Sequence, residues 1–451
     1  MVNFIETLNG FLWGIPLMLL IASVGLYLTI KSNFLQIRLF PKAMQTLVSS
    51  LRRNENDSGV SPYRALCTAL AATVGTGNLA GVAGAIAIGG PGSVFWMWIS
   101  GLLGMIIKFS EVVCAMHYRV KTPNGEWLGG PMVNIRNGMP YRFHILAYLF
   151  SFFGIIASLG VGNATQVNAI IGGLESLAQT SGKQMTFMGK LIFGIILALI
   201  IFYIIRDGIQ RIGKCTQFLV PIAAGTYILL AMGVLILEAR QIPDVLSSIV
   251  IGALNPRAVT GGMLASAFQT MRVGISRGIF TNEAGMGTAS MAHASTSITD
   301  PIEQGLLGIV EVFLDTIVIC TLTALVILCS GISIPYGIDT GIRLTMDAFS
   351  SVYNSWVQIP LTLIICLLAV ATILGWGFYG TRCVQFLFGE SACKWFVFLQ
   401  ATAVVIGVIG KTSLVWTLSE ITNALMAIPN LITLGYFAPK LITKMKAYRP
   451  Q

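Results

Sequence analysis

The sequence predicts an all-α polytopic membrane protein of about eleven transmembrane helices, the last ten forming a five-plus-five inverted repeat with two discontinuous helices. Three observations lead there. The 451 residues are 55% hydrophobic and only 10% charged, with a mean hydropathy of +0.80, more apolar than any single soluble core absorbs. Apolar stretches with polar punctuation fall at 10–30, 62–89, 93–118, 142–177, 187–205, 213–237, 260–292, 302–331, 356–381, 393–410 and 413–437. Two of them, 62–89 and 260–292, carry glycine and polar residues in their interiors, and they begin five spans apart.

Span one opens without a basic n-region, since Met1 to Gly10 holds Glu6 and no Lys or Arg, so no cleaved signal peptide is expected. A basic amphipathic piece, Leu35 to Arg52, follows it. Two further connections, Trp127 to Asn137 and Thr340 to Tyr353, read as short interfacial helices. With eleven crossings, 19 of the 28 Lys and Arg fall on one side, 6 on the other and 3 (Lys108, Arg272, Arg277) inside spans. The positive-inside rule then puts the N-terminus outside and the C-terminus in the cytoplasm, in a bacterial or archaeal inner membrane. Topology therefore accounts for the net charge of +10, and without aromatic-basic interleaving no nucleic-acid partner is expected. Eight scattered cysteines without a CxxC pair predict neither a disulfide framework nor a zinc site. The domain reading is 1–60 for an extra helix and its amphipathic tail, 61–240 for the first five-helix repeat, and 241–451 for the second.

Backbone polar groups in hydrocarbon must be paired, so a spanning helix breaks only where protein or a water-filled cavity surrounds it. Span two reads "TVGTGNLAGVAG", its polar centre at Gly75 to Asn78, and span seven reads "RVGISRGIFTNEAGMGTASMAHA". If spans two to six and seven to eleven are repeats, the two breaks occupy equivalent positions and run in opposite directions. A broken helix exposes N–H groups that suit a carboxylate and carbonyls that suit a cation. The alternative for span two is glycine-mediated helix packing, because Gly77, Gly81 and Gly84 approach small-xxx-small spacing.

At these residues the sequence resembles the alanine or glycine:cation symporters, also called sodium:alanine symporters, of the leucine-transporter-like fold. The likeness rests on "TVGTGNLAGVAGAIAIGGPGSVFWMWISGLLGMIIKFSEVV", "TPNGEWLGGPM", "GNATQVNA", "RGIFTNEAGMGTA" and "LGWGFYG", in that order along most of the chain. It implies symport of small neutral amino acids, alanine and glycine, with Na⁺ or H⁺ by alternating access. It also implies substrate contacts at Thr73, Thr76, Gly77, Asn78, Gln166, Phe280 and Trp376. The cation ligands it implies are Ala71, Val74, Asn78, Thr281 and Thr372, with Trp376 capping a small side-chain pocket. For the threonines, back-bonding to helix carbonyls is the competing role; for Phe280 and Trp376 it is packing or interfacial anchoring.

Charged residues inside spans complete the reading. Lys108 and Glu111, three apart, are expected to pair; Glu283 is expected to pair with an arginine, bind the cation or exchange a proton. Glu311 and Asp315 are further proton-relay candidates. A metal site from His117, His144 and His293 is not expected, and no spacing supports a catalytic triad, so enzyme chemistry and a cofactor are not expected either. The partners anticipated are an amino acid, a cation and the bilayer, without an obligate protein subunit. The alternative functions are a carrier for another small zwitterionic or polar substrate and, further off, an ion channel.

Overall fold

The computed structural model describes residues 2–52, 59–180, 182–255, 266–338, 341–409 and 412–448. Span one comprises α1 (Val2–Leu12) and α2 (Ile15–Lys31), followed by α3 (Leu35–Arg38) and α4 (Phe40–Ser50). Span two is α5 (Pro62–Thr73), a π turn at Gly77–Gly81 and α6 (Val82–Gly89); span three is α7 (Gly92–Tyr118). A hairpin of β1 (Val120–Lys121) and β2 (Trp127–Leu128) leads to α8 (Pro131–Gly138). Span four joins α9 (His144–Leu159) and α10 (Thr165–Thr180) through a π turn at Gly160–Ala164; α11 (Phe187–Ile205) and α12 (Gly208–Leu237) are spans five and six.

The second half begins with α13 (Ile242–Leu254). Span seven follows as α14 (Ala267–Asn282) and α15 (Thr288–Ala294), span eight as α16 (Pro301–Val312), a π segment at Phe313–Cys320 and α17 (Thr321–Cys329). Then come α18 (Ile342–Tyr353), span nine as α19 (Gln358–Phe388), span ten as α20 (Glu390–Ile409) and span eleven as α21 (Thr412–Ala447). Among the described residues nine helices are long and apolar enough to cross a bilayer, and Pro62–Thr73 with Gly77–Gly89, bent by 47°, makes a tenth. Span seven falls outside that count because its described halves are only 16 and 7 residues long, and its first expected residues lie outside the described set.

The inverted repeat is visible in which helices touch. Exchanging each span with the one five later maps the contacts 3–8, 4–9 and 5–10 onto themselves and turns 6–9 into 11–4. The short helices follow the same rule: α8, after span three, packs on span eleven, and α18, after span eight, packs on span six.

One expectation needs correction. The interfacial helix expected from Trp127 starts only at Pro131, because residues 127–128 pair with 120–121 in the hairpin. The helix expected from Thr340 is described from Ile342, Thr340 itself lying outside the described residues. Helix α13 was not expected at all; at 13 residues with Pro243 in its first turn, it is too short to register as a span.

Candidate functional site

Span two breaks because Val74 leaves the helix with φ −79° and ψ 91°. Gly75 then passes so close to span nine that a Cβ there would lie 2.6 Å from Thr372 Oγ1. Asn78 closes the break locally: its Oδ1 accepts the Gly75 N–H at 2.9 Å, while its Nδ2 donates to Asp315 Oδ1 at 2.6 Å. Thr76 Oγ1 donates to Gln166 Oε1 at 3.0 Å, which brings span four's amide to the same spot. The backbone is then left incomplete. The N–H groups of Thr76 and Gly77 find no acceptor among the described residues, and no donor reaches the carbonyls of Ala71, Ala72, Thr73 and Val74. Buried backbone groups without a partner are rare. This break therefore offers two donors and four acceptors side by side.

Span seven breaks differently. Its first half ends with Glu283 in the left-handed region at φ +53°, and Gly285 and Gly287 follow at φ +93° and +77°, a conformation glycine alone adopts without strain. Here the amides from Glu283 to Gly287 are all satisfied. Glu283 N–H reaches Ile279 O, Ala284 N–H reaches Asn282 Oδ1, and Met286 N–H reaches Glu283 O. Glu111 of span three accepts the remaining two, from Gly285 at 2.9 Å and Gly287 at 3.0 Å, and a third bond from Asn430 Nδ2 at 2.6 Å. The Glu283 carboxylate accepts from Thr288 Oγ1 at 2.5 Å and from Trp376 Nε1 at 2.8 Å.

The two breaks meet over span eight. Thr316 Oγ1 donates to Asp315 Oδ2 at 2.9 Å and accepts from Asn282 Nδ2 at 3.1 Å, so Asn78, Asp315, Thr316 and Asn282 form one buried chain from break to break. Both bridging residues lie in the π segment, the kind of local unwinding that recurs at functional sites. Phe280 and Thr281 face Gly77, whose added Cβ would meet the Thr281 methyl at 3.6 Å and the Phe280 ring at 3.8 Å. Ala71, Val74, Thr76, Asn78, Gln166, Thr281, Thr372 and Trp376 are all buried.

The candidate residues thus converge on one region, with two qualifications. The Thr73 hydroxyl back-bonds to the carbonyls of Ala69 at 3.3 Å and Leu70 at 3.5 Å, and that of Thr372 to Leu368 at 3.0 Å. Trp376, wedged against Gly162, holds Glu283 as well as walling the region.

Cross-span contacts overturn the local pairings expected for charged residues. Lys108 pairs with Glu311 at 3.4 Å, not with Glu111, because Glu111 is committed to the second break. Glu311 also bonds His293 at 3.0 Å, and His293 meets Gln304 at 2.6 Å, a fully buried set that spacing along the chain does not announce. Among the described residues Glu283 takes no arginine, and Arg277 binds Glu420 of span eleven at 3.1 Å. That glutamate is held in turn by Asn9 and Trp13 of span one.

At the end of the molecule bearing the Lys- and Arg-rich loops, Arg119 donates to the carbonyls of Ala294, Thr296 and Ile298 just past span seven, and stacks on Trp127 at 4.2 Å. Burial pulls its pKa down to about 10, so it stays charged near neutrality. Beside it the strand-like residue Val60, ahead of span two, exchanges backbone bonds with Ser295 and Ser297. Charged residues at span ends were in view in the sequence, but their partners lie far along the chain.

A family model described as the sodium:alanine symporter family matches residues 1–451. The chain belongs to that family. Over 450 residues it is 37% identical to an uncharacterized transporter of Haemophilus influenzae, covering 99% of this chain and 96% of the relative. It is 35% identical to the sodium/alanine symporter AgcS of Methanococcus maripaludis, covering 99% and 97%. It is also 35% identical to the probable sodium/glutamine symporter GlnT of Bacillus subtilis, covering 98% and 90%. Among solved structures it is similar to MhsT in complex with L-phenylalanine, with a TM-score of 0.59 at 13% identity over 85% of this chain and 90% of that one. The likeness carries the fold, that of the leucine-transporter group. Membership makes the chain a multi-pass, sodium-coupled amino-acid symporter and not an enzyme.

Proposed function

We propose that the chain imports small neutral amino acids, alanine and glycine foremost, together with Na⁺ by alternating access. The observation that carries this reading is the open backbone of the first break: among the described residues the Thr76 and Gly77 amides have no acceptor, and no donor reaches the neighbouring carbonyls of Ala71 and Val74. Two amide donors suit a carboxylate, and carbonyls with a hydroxyl suit a hard cation. The substrate carboxylate binds Thr76, Gly77 and Asn78, with Thr73 close by and Gln166 holding Thr76. Phe280 covers it, and Trp376 limits side-chain size. Na⁺ takes the carbonyls of Ala71 and Val74 with Thr372, and Asn78 and Thr281 supply a second set of oxygens. Filling the site with both ligands stabilises one closed arrangement, and that shared stabilisation is the coupling.

The halves 61–240 and 241–451 act as the two moving repeats, with 1–60 fastened outside them. By the positive-inside rule the N-terminus faces outward and the Lys- and Arg-rich loops face the cytoplasm of a prokaryotic cell. Purified protein in liposomes, given labelled L-alanine under separately imposed Na⁺ and pH gradients, tests the reading. Uptake driven by the Na⁺ gradient alone is expected; uptake driven only by the pH gradient transfers the coupling to H⁺. Accumulation of glutamine in preference to alanine and glycine would overturn the substrate assignment.

A further inference from the structure

Beyond the central site, a cavity of about 380 Å³ opens at the end bearing the Lys- and Arg-rich loops, between the connection of spans five and six, the end of span nine and the start of span ten. Its size is that of a small-molecule site, roughly 300–1,000 Å³. Its charged lining is balanced: Glu126, Asp207 and Glu390 against Arg206, Arg382 and Lys394. A balanced lining favours a zwitterion over an anion or a cation.

Arg382 is the built element of this cavity. It is 5% exposed, lies over the Phe378 ring at 4.9 Å, and donates to Gln385 Oε1 at 2.7 Å and to Glu126 Oε2 at 2.7 Å. Its Nε is buried and has no acceptor among the described residues. A guanidinium binds a carboxylate through two parallel N–H donors, and one donor edge here, Nε beside Nη2, carries a single bond from Glu126 and an unused N–H.

Glu126 comes from the hairpin between spans three and four, and it is 43% exposed on its side chain, so leaving Arg382 for water costs it little. The hairpin is anchored at its root by the three Arg119 bonds past span seven. Along span nine, Arg382 stands six residues beyond Trp376, about 9 Å along the axis. The cavity therefore borders the same helix that walls the central region, one step toward the basic end.

We propose that this cavity is a second, transient substrate site, in which Arg382 takes the carboxylate of a departing zwitterionic amino acid after Glu126 swings away. The inference rests on the proposed amino-acid symport. Glu126 is the competitor for the guanidinium and Arg382 the ligand-binding group, so the two side chains act in opposite directions. A purely structural ion pair predicts the same direction for both.

The test is counterflow of labelled L-alanine in liposomes loaded with unlabelled alanine and Na⁺, beside Na⁺-dependent alanine binding to detergent-purified protein. Arg382→Gln is expected to slow counterflow about tenfold, the loss of one charge-assisted pair, with the central-site Kd unchanged. Glu126→Gln is expected to speed it two- to threefold, the effect of about half a kcal/mol less competition. Arg382→Lys, which keeps the charge and loses the paired donors, is expected to fall between Gln and wild type, and it covers the case in which Arg382→Gln does not fold. Equal slowing in Arg382→Gln and Glu126→Gln, or wild-type rates in both, would overturn the second site while leaving the central one standing. Wild-type protein that neither binds nor exchanges alanine would remove the proposed function and this inference together.

Discussion

The two breaks occupy equivalent places in an inverted repeat, yet a side chain from span three closes the loop of one, while two loop amides of the other keep no acceptor among the described residues. In span seven, Asn282 accepts the Ala284 amide and Glu111 those of Gly285 and Gly287, so the protein's own carboxyl group sits where a ligand's could. In span two, Asn78 satisfies only Gly75, and Thr76 and Gly77 keep their donors. The fold supplies two helix interruptions; side chains from other spans decide how each one is closed. All three donors converge on one oxygen of Glu111, Oε1, so a single side chain ties the loop of the second break to span eleven.

The largest effect expected from disturbing this difference is at Asn78. Asn78→Ala removes the acceptor for Gly75 and the donor to Asp315, leaving two buried groups unpaired at about 1–3 kcal/mol each. Uptake of labelled alanine is expected to fall at least about 100-fold with the protein still inserted and monodisperse. Next comes Glu111→Ala, which orphans the Gly285 and Gly287 amides and the Asn430 amide. A drop in thermal unfolding temperature of several degrees is expected, with Glu111→Gln retaining much of the stability because its amide oxygen still accepts. The order of competing amino acids should stay as in wild type, and a changed order would place Glu111 within the binding site instead of behind it.

Trp376→Ala is expected to be milder for alanine and informative for size. Removing the ring opens space beside Gly162 and frees Glu283 of one donor. Competition by leucine-sized amino acids should improve about tenfold, within the 1–3 kcal/mol that a hydrophobic wall imposes; an unchanged competition profile would show that the tryptophan does not bound the pocket. Thr73→Ala should have the smallest effect, less than about twofold on uptake, because its hydroxyl already spends itself on helix carbonyls.

The spans and both breaks were legible because each is written locally: glycines and polar residues interrupt apolar runs at 75–78 and 282–287, and hydrocarbon does not tolerate them without a structural reason. The convergence of Thr76, Gln166, Phe280, Thr281, Thr372 and Trp376 followed from motif resemblance along the chain. What sequence did not reveal were partners set by packing. Lys108 and Glu111 sit three apart, which argues for a local pair, but helix packing turns one toward Glu311 and the other toward Gly285 and Gly287. Asp315 read as a relay candidate and serves as the tie between breaks. The hairpin at 120–128 was hidden because two-residue strands carry no period to detect.

The central claim is that the substrate carboxylate binds the open amides of the first break and is excluded from the second by Glu111. An experimental structure with L-alanine and Na⁺ bound tests it most directly. The carboxylate is expected within hydrogen-bond distance of the Thr76 and Gly77 nitrogens, with Glu111 still on Gly285 and Gly287. A carboxylate found on Gly285 and Gly287 with Glu111 displaced, or one held away from both breaks, would contradict the account.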